Sequence, residues 1–202
     1  MRSVESVIPG VQGRVLAVLA RTETELTMRT VAQLAGVSPN RATAVLNHLV
    51  QLGLVERREA GSAALVRLVR QNEAARAVLA LADLHDGVLT RLRAEARMIR
   101  PEPACLLAFG SFARGEAREE SDVDVLAVRP ENVSGEDELW TASLGQWSDC
   151  ATEIVGNPVN VLDVSAQELP ELVRRGAGAW KVIADGGVVL IGTMPAEIGR
   201  AA

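Results

Sequence analysis

Two apolar runs and the polar stretch between them constrain this chain most. Ala104-Cys105-Leu106-Leu107-Ala108-Phe109 is bounded by Pro103 and by Gly110, and reads as a short buried strand. It ends in Gly110-Ser111, and ten residues (112–121) separate that pair from Asp122-Val123-Asp124-Val125, which opens a second apolar run. Strand alternation puts the Asp122 and Asp124 carboxylates on one face and turns Val123 and Val125 to the other. A glycine where a strand ends lets backbone amides approach phosphate oxygens, and the Ser111 hydroxyl adds a donor. Arg114 and Arg118 follow closely and suit negative charge. Two carboxylates so placed can share Mg²⁺ ions that also bind a triphosphate. Such metals would activate an attacking hydroxyl and stabilise a leaving pyrophosphate.

The first third of the chain has a different character. Val11, Val15, Leu16, Val18 and Leu19 recur near a helical period. Thr27 can cap a second helix carrying Val31, Ala32 and Leu34. Gly36 then suits a tight turn, Ser38 can cap a third helix, and Pro39 fits its first position. That helix keeps Ala42, Val45, Leu46, Leu49 and Leu52 on one stripe and stops at Gly53. Residues 54–58 and 63–68 read as strands joined by a turn at Ala60-Gly61-Ser62. Three helices followed by a hairpin are the order of a winged helix-turn-helix.

Charge follows the same division. Residues 1–71 hold nine Arg and five Glu, a balance of +4; residues 72–202 hold twelve Lys and Arg against twenty-one Asp and Glu, a balance of −9. A positive first part suits a phosphate backbone. The third helix exposes Asn40, Arg41, Thr43, Asn47 and His48 opposite its apolar stripe, with Ser38 at its start. Helix N-terminal residues reach base edges in the major groove, where Arg41 pairs with guanine and Asn40 or Asn47 with adenine. Arg57, Arg58 and Arg67 flank the wing and suit phosphate or minor-groove contact. A solvated helix face on a dimerisation module is the competing reading.

Both segments resemble known families. The stretch "TVAQLAGVSPNRATAVLNHLVQLGLVERR" is similar to bacterial winged-helix transcription regulators, over roughly residues 8–71. Gly110-Ser111 with Asp122-x-Asp124 resembles the signature of the DNA polymerase beta nucleotidyltransferase superfamily. Arg114-Gly115-Glu116-Ala117 and Ser121 also match the minimal nucleotidyltransferases, which are often encoded with small helical partners as toxin–antitoxin pairs. The resemblance implies Gly110, Ser111 and Arg114 as nucleotide-binding residues, and Asp122 and Asp124 as catalytic residues that ligate Mg²⁺. It also implies a third carboxylate on a later strand. In Pro158-Val159-Asn160-Val161-Leu162-Asp163-Val164, that position falls on Asn160. An amide can ligate a metal but is no base at neutral pH. Asp163 faces the other side of a regular strand and would serve only with a bulge or shifted register. Glu119, Glu120 and Glu153 are the other candidates.

The expected fold is therefore α+β. A winged helix over residues 1–71 leads into a connecting segment over 72–100, one helix or two joined near Asp86-Gly87, which can belong to either domain. A small α/β nucleotidyltransferase fold with a mixed sheet follows over 101–194, then a loose tail over 195–202. In the second part, residues 134–154 read as a helix whose Trp140 and Trp147 pack or stack on a base. Ser165 caps the next helix, Gly186-Gly187 turns into a last strand, and Lys181 faces phosphate or solvent.

Cys105 and Cys150 form no CxxC or Cys/His cluster, so a structural zinc site is not expected and two reduced thiols are. No apolar run approaches the ~18 residues of a membrane span. Met1 to Gly10 lacks the charged start and apolar core of a signal peptide, so the expectation is a cytoplasmic protein. Three functions remain open: transfer of a nucleoside monophosphate from an NTP, ATP foremost, to a hydroxyl; nucleotide sensing by a transcription regulator; and an antitoxin-like role beside a partner protein or toxin. Expected partners are double-stranded DNA, nucleotide and a second copy in a homodimer, since winged helices commonly read two-fold sites.

Overall fold

The computed structural model describes residues 3–61, 63–115, 121–175 and 177–195. Arg118, Glu116, Ala117, Glu119, Glu120, Ser62 and the tail beyond residue 195 lie outside the described residues. The chain divides between His85 and Asp86 into two compact units.

In the first unit, helices α1 (Ser3–Val7) and α2 (Gly10–Ala20) precede strand β1 (Leu26–Thr27) and helices α3 (Met28–Leu34) and α4 (Pro39–Gln51). Strands β2 (Val55–Ala60) and β3 (Ala63–Leu68) form the wing, and α5 (Glu73–Ala82) closes the unit. The sheet order is β1-β3-β2, all antiparallel, with Arg57 opposite Val66 and Glu56 opposite Arg67. One core joins these elements: Val15, Leu16 and Leu19 of α2, Val31 of α3, Leu46 and Leu49 of α4, Val66 of β3 and Ala75 of α5. Thr27 caps α3 as expected, its hydroxyl accepting from the Thr30 amide at 3.0 Å. Ser38 occupies the position before α4, but its side chain makes no capping bond.

The break expected near Asp86-Gly87 falls earlier. Helix α5 ends at Ala82 with Asp83 as its cap, and α6 (Leu84–Ala96) runs straight through Gly87. Asn72 starts α5 by accepting from the Ala74 and Ala75 amides, and buried Ala75 and Val78 join that helix to the first core.

The second unit contains most of α6, then β4 (Cys105–Phe109), α7 (Gly110–Ala113), β5 (Val123–Arg129), α8 (Glu138–Val155) and β6 (Val159–Ser165). Helices α9 (Leu169–Arg175) and α10 (Ala177–Gly186) and strand β7 (Val188–Gly192) complete it. The sheet order is β6-β5-β4-β7, with β5 and β6 parallel and the other neighbours antiparallel. This is the mixed sheet the sequence predicts. Its centre is dry: Cys105, Leu106, Leu107, Val125, Leu126 and Ala127 are all fully buried. One face carries Cys105, Leu107, Leu126 and Val128 against Leu169, Val173, Trp180 and Ile183 of α9 and α10.

The opposite face meets α8. Trp140 and Trp147 are buried there, Trp140 Nε1 donating to Asp163 Oδ2 and Trp147 Nε1 to the Leu92 carbonyl. Both rings are therefore structural, and base stacking by either is set aside. No described helix is long and apolar enough to cross a membrane.

Candidate nucleotide site and DNA-facing helix

The end of β4 and the start of β5 meet at the pair Phe109–Asp124, and β5 pairs with β6 at Asp124–Asn160. Gly110, Asp122, Asp124 and Asn160, far apart in sequence, thus gather at one end of one sheet face. Gly110 has a φ of +76°, where L side chains fit poorly. A Cβ added there would sit 3.1 Å from Asp124 Oδ2. The strand-to-helix turn therefore needs glycine twice, for its dihedral and for the carboxylate against it.

The short helix α7 is anchored by buried Phe112 and Ala113, which leaves Ser111 half-buried and Arg114 exposed at its end. The Arg114 stem runs over Gly186, where a Cβ would lie 3.3 Å from its Cγ. The second glycine pair of the sequence thus gives room to the arginine as well as turning into β7.

Asp122 is exposed and Asp124 half-buried. Asn160 Nδ2 donates to Asp122 Oδ2 at 3.1 Å. The position expected to bear a third acid instead bears a hydrogen-bond donor aimed at the first one. Among the described residues no group of three or more His, Cys, Asp or Glu is placed to hold a metal ion.

Asp163 does not replace the missing acid. Pairing of β5 with β6 is regular throughout, so Asp163 stays on the far face. It is bound there by Arg129 Nη1 at 2.9 Å and by Trp140. Glu153 is exposed on α8, which also covers that far face. Lys181 is exposed on α10.

Two hard-oxygen carboxylates beside a glycine turn fit a divalent cation such as Mg²⁺ bound together with phosphate. Asp122 and Asp124 are the residues that would hold it. Its chemistry would be to neutralise phosphate charge and polarise the attacked phosphorus.

In the first unit, the side chains expected to face DNA lie on one exposed surface. Ser38, Asn40, Arg41, Thr43, Asn47 and His48 are all exposed, while Ala42, Leu46 and Leu49 are buried. The wing arginines differ from expectation in one respect: each is engaged by a carboxylate. Arg57 pairs with Glu59 at 2.6 Å, Arg58 with Glu25 at 2.5 Å and Arg67 with Glu56 at 2.8 Å. The Arg58 hydrogen bond holds the Glu25 carboxyl below its ordinary range. Exposed pairs of this kind are weak and exchangeable, so a phosphate can take the place of the carboxylate. The sequence hid these pairs, because Glu25 lies 33 positions from Arg58 and only the fold brings them together.

Residues 8–64 match the family model of the MarR family, and residues 89–174 match that of the nucleotidyltransferase domain. The chain joins a MarR-family winged helix to a nucleotidyltransferase domain. The nucleotidyltransferase match spans α6 to α9 and so includes Gly110, Asp122, Asp124 and Asn160. The MarR match takes in all of α4 and β2.

Two solved structures are similar. One is a crystal structure of a toxin–antitoxin with AMP-PNP, at 16% identity, covering 57% of this chain and 80% of that one, with a TM-score of 0.36. The other is a mutant of the toxin–antitoxin MntA-HpeT, at 15% identity, covering 56% and 80%, with a TM-score of 0.35. No curated protein matches the chain.

Proposed function

We propose that this chain binds double-stranded DNA through α4 and the wing, and transfers a nucleoside monophosphate from an NTP, ATP foremost, to an acceptor hydroxyl. The observation that carries the second half is the convergence of Gly110, Asp122 and Asp124 at one sheet end. Gly110 and Ser111 would take the β- and γ-phosphates, Arg114 would add positive charge, and Asp122 and Asp124 would hold Mg²⁺. The acceptor oxygen would bond to the α-phosphorus as pyrophosphate leaves. DNA binding rests on the exposed polar face of α4 and on the MarR match. We place the protein in the cytoplasm as a homodimer.

Asn160 favours a second reading, a regulator that senses nucleotide without turnover. Its amide cannot take the acceptor's proton, and it occupies one oxygen of Asp122. An antitoxin-like role beside a partner protein or toxin is compatible with either reading.

The deciding experiment is calorimetric titration of each NTP with Mg²⁺ into wild type and Asp122→Ala/Asp124→Ala, with pyrophosphate release followed in parallel. Metal-dependent binding that the variant loses, together with turnover, is expected. Binding without turnover, across hydroxyl acceptors on protein, nucleic acid and small molecules, would install the sensing regulator instead. No nucleotide binding would sink both.

A further inference from the structure

The three arginines that read from the sequence as the charge of the wing are matched one for one by carboxylates. Arg58 meets Glu25 through two bonds, Nε to Oε1 at 3.2 Å and Nη2 to Oε2 at 2.5 Å. Arg67 holds Glu56 Oε2 from Nε at 2.9 Å and from Nη2 at 2.8 Å. Arg57 holds Glu59 Oε1 from Nε at 3.1 Å and from Nη2 at 2.6 Å. The turn from Ala60 to Ala63 adds no charged residue. The wing and Glu25 therefore set three arginines against three glutamates, and the +4 of residues 1–71 lies wholly outside this group.

Two of the pairs adjoin. The antiparallel register of β1 and β3, with Leu26 opposite Val66, brings Glu25 beside Arg67, and Glu56 stands opposite Arg67 on its other side. Glu56 and Arg58 are two residues apart on β2 and share a face. Glu25, Arg58, Glu56 and Arg67 thus alternate in sign over one face of the sheet. Arg58 chiefly, and Arg67 in addition, hold the Glu25 carboxyl below its ordinary range. Exposed pairs of this kind are weak, and a phosphate can displace each carboxylate. The freed carboxylate then stays beside the phosphate as a like charge, and it takes up a salt cation as the phosphate gives one up. An arginine exchanged in this way adds little to affinity and little to its salt dependence.

We propose that Glu25, Glu56 and Glu59 restrain the wing: they compete with duplex phosphates for Arg57, Arg58 and Arg67, and so keep sequence-independent binding of DNA weak. The proposal rests on the DNA-binding reading above. It adds three acidic residues to that surface, as residues that lower its affinity.

The test is titration of a mixed-sequence duplex with the full chain across a salt series, read by fluorescence anisotropy. The forms compared are wild type, Glu25→Gln, Glu25→Gln/Glu56→Gln/Glu59→Gln and Glu73→Gln. Glutamine keeps the size of each side chain and removes its charge, and circular dichroism checks that the variants keep the fold. Glu73 pairs with Arg76 on α5, outside α4 and the wing, so Glu73→Gln measures the effect of net charge alone. The triple variant should bind about tenfold tighter than wild type at low salt, and its log–log salt slope should steepen by about 2 to 3, close to one for each freed arginine. Glu25→Gln alone should steepen the slope by about 1. Glu73→Gln should leave both quantities near wild type. A triple variant with the wild-type slope and affinity would overturn the proposal. So would a gain from Glu25→Gln no larger than the gain from Glu73→Gln. Failure of every form to bind the duplex would instead remove the DNA-binding reading, and the proposal with it.

Discussion

At Gly110 the left-handed backbone disfavours any side chain, and a Cβ there would press on the Asp124 carboxylate. Gly110→Ala is therefore expected to cost about 1 kcal/mol of stability from the dihedral alone. It should also weaken nucleotide binding by displacing Asp124. A melt and a titration on one preparation check this; an unchanged affinity would remove the turn from the binding site. Asn160 makes the opposite kind of prediction. Its amide donates to Asp122, so Asn160→Asp turns an attraction into a repulsion between carboxylates. The variant should melt earlier than wild type without metal and gain more from Mg²⁺. An equal Mg²⁺ response would show that the Asn160 side chain does not set the charge of the site. The sequence placed Asn160 at that position but could not show its bond to Asp122, which depends on the register of β6 against β5.

Several helices here begin at a side-chain cap: Thr27 for α3, Asn72 for α5 and Asp137 for α8. The corner between β6 and α9 is the fullest case. Ser165 and Glu168 bond reciprocally, the Ser165 amide donating to Glu168 Oε2 at 3.0 Å and the Glu168 amide to Ser165 Oγ at 3.1 Å. Arg129 adds a contact from β5. The Ser165 amide, then its hydroxyl, then Arg129 hold the Glu168 carboxyl below its ordinary 4.5. A depressed carboxyl pKa contributes stability above the unfolded-state value and loses it as pH falls through the folded-state value. The melting temperature should therefore fall as pH drops below about 4.5, and Glu168→Gln should flatten part of that fall. A variant curve parallel to wild type would disprove the coupling.

This corner was half legible. Ser165 reads from the sequence as a cap, and Ser-x-x-Glu before an apolar stretch is the sequence signal for its partner, whereas Arg129 reaches them only through the sheet. Ser38 shows the reverse: it stands at the start of α4 as expected, yet its hydroxyl makes no cap.

At the scale of the molecule the chain divides into two compact units, one closing with α5 and one holding most of α6. Each holds enough buried aliphatic residues to close on its own. Fragments 1–85 and 86–202 are thus expected to melt cooperatively when made separately, as circular dichroism would show. A fragment without a cooperative transition would show that its fold depends on the rest of the chain.

The sequence by itself determined the winged helix, the strand–Gly-Ser–Asp-x-Asp pattern and the polar face of α4. All three are local: helical and strand periods, turn glycines and short spacings write them into neighbouring residues. What tertiary structure decided is long-range. The pairing of β6 beside β5 placed Asn160 on Asp122 and sent Asp163 to the far face. The core claimed α5 for the first unit and moved the helix break to Asp83. The wing brought Arg58 to Glu25 and Arg57 to Asn47. Each is a contact between side chains remote in sequence, set by strand register and core packing, to which no local pattern is sensitive.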